Sequence, residues 1–257
     1  MIYLKNSTFI IPVRIDSSDR AFNFVFTLRH LCENLATNII ILEDDQTPKV
    51  AELLKRVDAK ETDIQYFFNK NTQDVFHRTR LLNEMLMKVT TMVVVNYDID
   101  IVIETSVYRK AASMIEEGYD LIYPYKQAES VHCVTTRPDM RTIADILPSD
   151  YVTHRSDCGH CQFFNTESYK RGGMENENFI SWSPEDQERK YRFITKGYRV
   201  TWLDNQIYHL EHFRGTNSSA TNPHNKQNGD LFLKLSSMNK SQLCEYYQSV
   251  EYLKKYR

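Results

Sequence analysis

The amino-acid sequence predicts an α/β protein: a mixed, mostly parallel sheet flanked by helices, built as one domain with a C-terminal helical tail. Two observations carry this. Short, strongly apolar runs alternate with stretches of helical spacing through the first half of the chain. The length, 257 residues, allows one large domain or one core with an appendage.

The elements follow in order. "TFIIPV" (8–13), "NIIILE" (38–43), "TDIQYFF" (62–68), "TMVVVNY" (91–97) and "YDLIYPY" (119–125) read as buried strands. Helices fall between them, on Phe24, Leu28 and Leu31, then Val50, Leu53 and Leu54, then Leu81, Leu82, Met85, Leu86 and Val89. Residues 126–160 have weak periodicity and read as a long loop or small insertion. "CQFFNTESYKRGG" resumes with a short strand and a helix. Residues 184–196 are helical, and "YRVTWL" (198–203) reads as the final strand. Residues 213–229 are polar and read as mobile, and "NKSQLCEYYQSVEYLKKY" closes the chain as a tyrosine-rich helix. In sheets of this kind ligands bind beyond the carboxyl ends of the strands, so function is expected just after each apolar run.

Composition narrows the function classes. A formal net charge of −2 leaves no basic excess for a nucleic-acid backbone. No run of about 18 apolar residues is present to span a bilayer. Five cysteines spread over the chain fit a reducing compartment better than a disulfide scaffold.

The sharpest motif is "MVVVNYDIDIVIE" (92–104), where a hydrophobic strand runs out into Asp98-Ile99-Asp100. Alternate residues of an extended segment point the same way, so both carboxylates can aim at one spot. Such oxygens suit Mg²⁺ or Mn²⁺, ions that commonly bridge a diphosphate; a solvated acidic turn is the plain alternative. Arg14 and Asp16 follow the first strand, where an arginine fork can meet a phosphate or a base edge, or simply sit on a surface turn. In "SWSPEDQERKYRF" (181–193), Ser183 reads as an N-cap and Asp186 completes a capping-box-like pattern. The functional alternative makes Asp186 a general base, kept ionised by the helix N-terminus. His209 and His212 follow the last strand, and either could complete a metal site.

Together, in this order, the blocks resemble the β-1,4-galactosyltransferase family. "FIIPVRIDSSDR" is similar to its opening strand ending in Pro-Phe-Arg-Asn-Arg, and "FHRTRLLNEMLMKVT" (76–90) to its Phe-Asn-Arg-Ala-Lys-Leu-Leu-Asn helix. "VVVNYDIDIVI" (93–103) resembles its Asp-Val-Asp strand, "SWSPEDQE" (181–188) its Trp-Gly-Trp-Gly-Gly-Glu-Asp-Asp-Asp segment, and "HFRGTNSSATNPH" (212–224) its late metal histidine and polar Asn-Pro stretch. Bacterial chondroitin-type polymerases and the polypeptide N-acetylgalactosaminyltransferases are more distant relatives in resemblance.

The resemblance implies a GT-A, Rossmann-like fold over residues 1–230. Residues 1–125 would be the nucleotide-sugar half, 126–230 the acceptor half, and 231–257 a C-terminal helix. It implies a metal-dependent inverting transferase that moves a hexose or N-acetylhexosamine, galactose or N-acetylgalactosamine, from a UDP-sugar to a glycan or lipid-linked acceptor. Pro12, Val13, Arg14 and Asp16 would line the nucleotide, Arg78 the uracil region, and Asp98 the ribose. Asp100 and His212 would bind Mn²⁺ or Mg²⁺, with Asp98 and His209 as further candidate ligands. Trp182 and Glu185 would meet sugar, and Asp186 would be the base. Ser183-Pro184 replaces a flexible glycine pair, Val13 a phenylalanine and His77 an asparagine, so the donor sugar is open. The family's secretory anchor has no counterpart, which implies a cytoplasmic enzyme. The last helix places Leu243, Tyr246, Tyr247, Val250 and Leu253 near one face, for packing on the core or, with Lys240, Lys254, Lys255 and Arg257, for lying on a membrane.

"CGHC" (158–161) is spelled like a disulfide exchanger. Its position two-thirds along the chain, ahead of a strand, argues against that. A zinc site drawn from Cys158, Cys161, Cys133, His132, His154 and His160 is the alternative, as would suit an interaction protein; a non-catalytic sugar or nucleotide binder is the other. Reduced cysteines beside a sugar pocket are the reading preferred.

Overall fold

The computed structural model describes residues 1–219 and 221–256. The strands are β1 (Ile2–Val13), β2 (Leu35–Asp45), β3 (Asp63–Lys70), β4 (Val93–Tyr97), β5 (Ile101–Ile103), β6 (Leu121–Tyr123), β7 (Ala128–Val134), β8 (Tyr151–Ser156), β9 (Cys161–Asn165), β10 (Val200–Trp202) and β11 (Ile207–Leu210). The helices are α1 (Ser18–Asn34), α2 (Val50–Leu54), α3 (Arg78–Leu86), α4 (Thr105–Glu116), α5 (Thr166–Gly172), α6 (Glu185–Lys196), α7 (Asn225–Ser236) and α8 (Lys240–Ser249).

Seven strands form the main sheet in the order β10-β6-β9-β4-β1-β2-β3. All its pairings are parallel except the two made by β9. The apolar runs explain its centre. Every residue of β4 is buried, and Phe9 to Val13 of β1 are too, because helices cover both faces of a parallel sheet.

A second sheet, in the order β5-β11-β7-β8, corrects the expected long loop at 126–160. β7 and β8 pair antiparallel there, and β8 is mostly exposed, so its residues carry no apolar pattern to read. β10 is not the last strand either; β11 follows and pairs with both β5 and β7. The 213–229 stretch also departs from expectation. It holds a short 3-10 turn at Thr216–Ser218 and runs into α7. Asn217, Asn222 and Asn228 bind it to Ser181 and to the carbonyls of Ile180 and Trp182.

The tail packs inward. Leu243, Tyr247 and Leu253 are buried, and Tyr246 and Val250 pack against the same core. A Cβ on Gly173 would come within 2.4 Å of the Tyr247 ring, and Gly173 itself has φ +109. A glycine there both ends α5 and admits α8. Lys254 pairs with Glu251, and Lys255 with Glu177. The face nominated for a membrane is therefore turned to the core, and Arg257 lies outside the described residues. Among those residues no helix is long and apolar enough to cross a membrane.

Candidate functional site

β1 and β4 run side by side in parallel, with Ile10 opposite Asn96. Their carboxyl ends therefore release Arg14 and Asp98 at the same edge of the sheet. A cleft of about 420 Å³ opens there. It is lined by Pro12, Val13, Arg14, Asp16, Arg78, Asp98, Asp100, Trp182, Glu185, Asp186, His209 and His212, all twelve residues singled out from the sequence. Arg20, Phe76, Ile99, Arg155, Asp157, Gly159, His160, Gln187, Arg214 and Asn217 also line it. The sequence expectations do not include Arg20, Arg155 or Arg214; Arg20 lies in the first turn of α1, Arg155 within β8 and Arg214 shortly after β11, so only Arg214 follows a strand end, where such a residue could have been sought.

The two acids of the Asp-x-Asp motif take separate partners. The Asp98 carboxylate accepts from Arg78 Nη2 at 2.8 Å, and its backbone N–H donates to His160 O at 3.2 Å. Asp100 turns instead to two histidines. Its Oδ2 lies 3.1 Å from His212 Nε2, and its Oδ1 lies 3.7 Å from His209 Nε2. One ligand atom from each of Asp100, His209 and His212 falls within 4.8 Å of the others. Among the described residues this is the one such group of His, Cys, Asp or Glu, and Asp98 is outside it. The second sheet builds it: β11 pairs with β5, so His209 lies opposite Ile101, directly after Asp100.

The trio has the chemistry of a divalent-metal site. His212 Nδ1 donates to Phe213 O at 2.8 Å, which fixes the tautomer and leaves Nε2 free to ligate. Burial pushes the His209 pKa down despite Asp100, so its ring is held neutral. Burial would raise Asp100, but His209, His212 and Arg20 outweigh it and hold the carboxyl well below its usual range. One carboxylate oxygen and two imidazole nitrogens suit Mn²⁺ better than Mg²⁺, which favours an all-oxygen shell.

Across the cleft, α6 presents Glu185 and Asp186 in its first turn. The expected Ser183 cap is absent. Pro184 occupies the N-cap position without a side-chain hydrogen bond. The Asp186 carboxylate is drawn to Arg189, and lies 3.8 Å from Arg78. Burial would raise its pKa, but these arginines hold it low. Glu185 moves the other way. Burial, then the Asp186 charge, push it up to about 8, and its Oε2 has no hydrogen-bond partner. Adjacent carboxyls are thus split, one ionised and one protonated at neutral pH.

Arg14 is committed within the protein. Its guanidinium donates to Asp44 and to the carbonyls of Asp44, Asp74 and Val75, and it lies 5.4 Å from the Phe76 ring centre. It pins the 74–76 segment to the sheet end, presenting a cleft wall and not a free fork. Trp182 stands at the rim, 38% exposed.

The Cys158–Cys161 segment crosses the floor. Cys161 is buried in β9, and burial pushes both thiols up, opposite to what a reactive thiolate needs. The zinc alternative loses its partners. His132 bonds Thr153 and Gln206, and Cys133 Sγ lies 3.8 Å from His209 Nδ1. Gly159 has φ +89, and a Cβ there would lie 2.9 Å from Asp186 Oδ2. The backbone passes hard against the carboxylate of α6, a closeness only glycine permits.

No protein-family model and no curated protein matches this sequence. Solved structures do. A mannosyltransferase from Pyrobaculum calidifontis, determined with GDP-Man and Mn²⁺, superposes at TM-score 0.55 and 12% identity over 95% of this chain and 69% of its own. GalNAc-T7, determined with UDP, GalNAc and Mn²⁺, superposes at 0.60 and 10% over 95% of this chain, which spans only 50% of that one. TarS (1–349) from S. aureus, with UDP-GlcNAc, superposes at 0.57 and 13% over 96% and 72%. The fold is the GT-A fold of these glycosyltransferases.

Proposed function

We propose that the protein is a metal-dependent, inverting glycosyltransferase. It transfers a hexose or N-acetylhexosamine, galactose or N-acetylgalactosamine, from a UDP-sugar to a hydroxyl of a glycan or lipid-linked saccharide. One observation carries this reading: a cation-type trio, Asp100, His209 and His212, shares a cleft with an ionised carboxylate, Asp186, at the carboxyl edge of the sheet. The solved neighbours, one with GDP-Man and Mn²⁺ and one with UDP, GalNAc and Mn²⁺, support the same class. On this reading residues 1–125 hold the nucleotide and 126–230 the acceptor.

Asp100, His209 and His212 would hold Mn²⁺, whose charge offsets that of a departing diphosphate. Pro12, Val13 and Arg14 form the nucleotide wall, with Asp16 at its edge. Arg78 and Asp98 form an ion pair beside it, for the base and ribose. Asp186 accepts the proton of the acceptor hydroxyl as its oxygen attacks the anomeric carbon. The C1–O bond to the diphosphate breaks, its electron pair leaves with UDP, and attack from the opposite face inverts the centre. Two arginines keep Asp186 ionised, which lowers its basicity but guarantees the proton-accepting form. Glu185, protonated, can donate to a sugar hydroxyl.

The test is a panel of UDP-, GDP- and CDP-sugars, read by Mn²⁺-dependent hydrolysis and thermal stabilisation. UDP-sugars should lead; a preference for GDP-sugars overturns the donor class. Asp186→Asn should lower turnover by roughly 10²- to 10⁴-fold while leaving UDP affinity in place. Unchanged turnover would remove Asp186 as the base.

A further inference from the structure

His160 is a cleft residue that the mechanism above leaves unused. It lies between Gly159 and Cys161 and lines the cleft, with φ +62, a left-handed conformation uncommon for any residue but glycine. Its surroundings are specific. Its carbonyl accepts the Asp98 amide, and the preceding Gly159 is pressed against the Asp186 carboxylate. Its ring packs edge-on to His209 at 5.8 Å and to Tyr125 at 5.9 Å. Neither ring nitrogen hydrogen-bonds to another described residue.

These contacts set the imidazole beside His209 of the trio that would carry the diphosphate, one residue along from the backbone that abuts the carboxylate that would take the acceptor proton, so that it borders the interval between trio and carboxylate. In an inverting transfer the moving sugar has to occupy that interval. Its anomeric carbon is bonded to the diphosphate on one side and attacked from the other. A ring with two unpartnered nitrogens bordering that gap meets the sugar's hydroxyls, and its volume limits what substituents fit.

We infer that His160 contacts the transferred sugar and is the residue that selects which sugar this enzyme accepts. The inference rests on the glycosyltransferase reading. Discrimination follows from chemistry: a site that hydrogen-bonds a particular hydroxyl rejects analogues that leave its polar atoms unpaired.

Two variants test it without endangering the backbone. Glycine adopts φ +62 freely, so His160→Gly removes the ring and relaxes the conformation. Asparagine tolerates the left-handed region and keeps a shorter hydrogen-bonding group. For wild type and both variants, kcat/KM is measured over a panel of UDP-hexoses and UDP-N-acetylhexosamines. The thermal stabilisation given by each UDP-sugar is compared with that given by UDP, all with Mn²⁺. In His160→Gly the ratio between the preferred donor and its best competitor should fall by about tenfold or more. The extra stabilisation of UDP-sugar over UDP should vanish, and stabilisation by UDP alone should stay. His160→Asn should fall between. An unchanged donor ratio and an unchanged increment overturn the inference. Loss of UDP stabilisation in step with UDP-sugar also overturns it, because His160 would then serve the nucleotide end. If the wild type turns over no nucleotide sugar and is stabilised by none, the glycosyltransferase reading itself fails, a result separate from either of these.

Discussion

Helix α6 contributes to two buried arginine–carboxylate clusters, and they are built differently. In its third turn, Arg192 donates through Nε to Glu188 at 3.0 Å, through Nη1 to Gly172 O and through Nη2 to Met174 O. Its face covers the Tyr247 ring, and the Tyr247 hydroxyl donates to Glu188 as well. At the other end, Arg78 binds Asp98 through Nε and Nη2, but its Nη1 has no hydrogen bond and stands 3.8 Å from Asp186. Glu185 Oε2 is likewise unpartnered. A closed cluster serves the fold, since a buried charge left unpaired is costly. An open one keeps polar atoms waiting for a ligand. Arg189 joins the two regions, with Nη1 on both oxygens of Glu175 and Nη2 on Asp186. The proposed base is therefore braced from the protein's interior.

The comparison breaks most visibly at Arg192. Arg192→Met should destabilise the protein by about 3–5 kcal/mol, because it strands Glu188 and two carbonyls in the core. Chemical denaturation measures this. Donor turnover per folded molecule should be retained, since Arg192 lines no part of the cleft. A variant as stable as wild type would mean the closed cluster adds nothing to the fold.

The cleft that holds the open cluster should respond to ions where the closed one does not, because the candidate metal trio lines the same cleft. Saturating wild-type protein with Mn²⁺ at a hundred times its dissociation constant should raise stability by about 2.7 kcal/mol. Asp100→Asn should abolish that gain, while Arg192→Met keeps it. Mg²⁺ should give less than Mn²⁺ at equal concentration, because two of the three side chains proposed to hold the ion are imidazoles. Equal stabilisation of wild type and Asp100→Asn by Mn²⁺ would place the ion elsewhere.

What the sequence disclosed divides along the same line. The central strands were legible because Val93–Val95 and Ile10–Ile11 are buried on both faces of the sheet and so form unbroken apolar runs. Asp98 and Asp100 were legible because a strand end is where such a sheet puts its ligands. The second sheet was not. β5 has three residues and reads as the tail of the Asp-x-Asp motif, while β8 is an exposed edge with no periodicity to detect. Its consequence, the pairing that sets His209 beside Asp100, is a long-range register that local pattern cannot show. The capping pattern at Ser183 failed because Ser183 has φ +61 and Pro184 takes the N-cap position, while Asp186 pairs with Arg189 and Arg78. Arg189 itself gave no signal, because its partner Glu175 lies on a separate segment, beyond α5.

The subtlest difference between the clusters is a proton. Glu185 faces Asp186, Arg78 and Arg189, and its folded pKa is raised from 4.5 to about 8, by burial first and the Asp186 charge second. The sign follows directly. Below pH 4.5 folded and unfolded chains both carry this proton, and Glu185 has no effect on stability. Between 4.5 and 8 the unfolded chain releases the proton and the folded chain retains it, so stability falls as pH rises; above 8 the loss is complete. Glu185→Gln cannot titrate, keeps the volume, and mimics the protonated acid. The variant should match wild type near pH 4.5 and become progressively more stable than it up to pH 8, by on the order of 5 kcal/mol at the top of that range, since the rise from 4.5 to about 8 spans several pKa units each worth about 1.4 kcal/mol. Denaturation midpoints of the two proteins across that range measure the gap, and titrations common to both cancel in the difference. Parallel curves, or a variant that gains its advantage as pH falls, would show that Glu185 is ionised in the folded cleft. The contrast between a closed cluster with every partner in place and an open one holding a spare proton would then be lost.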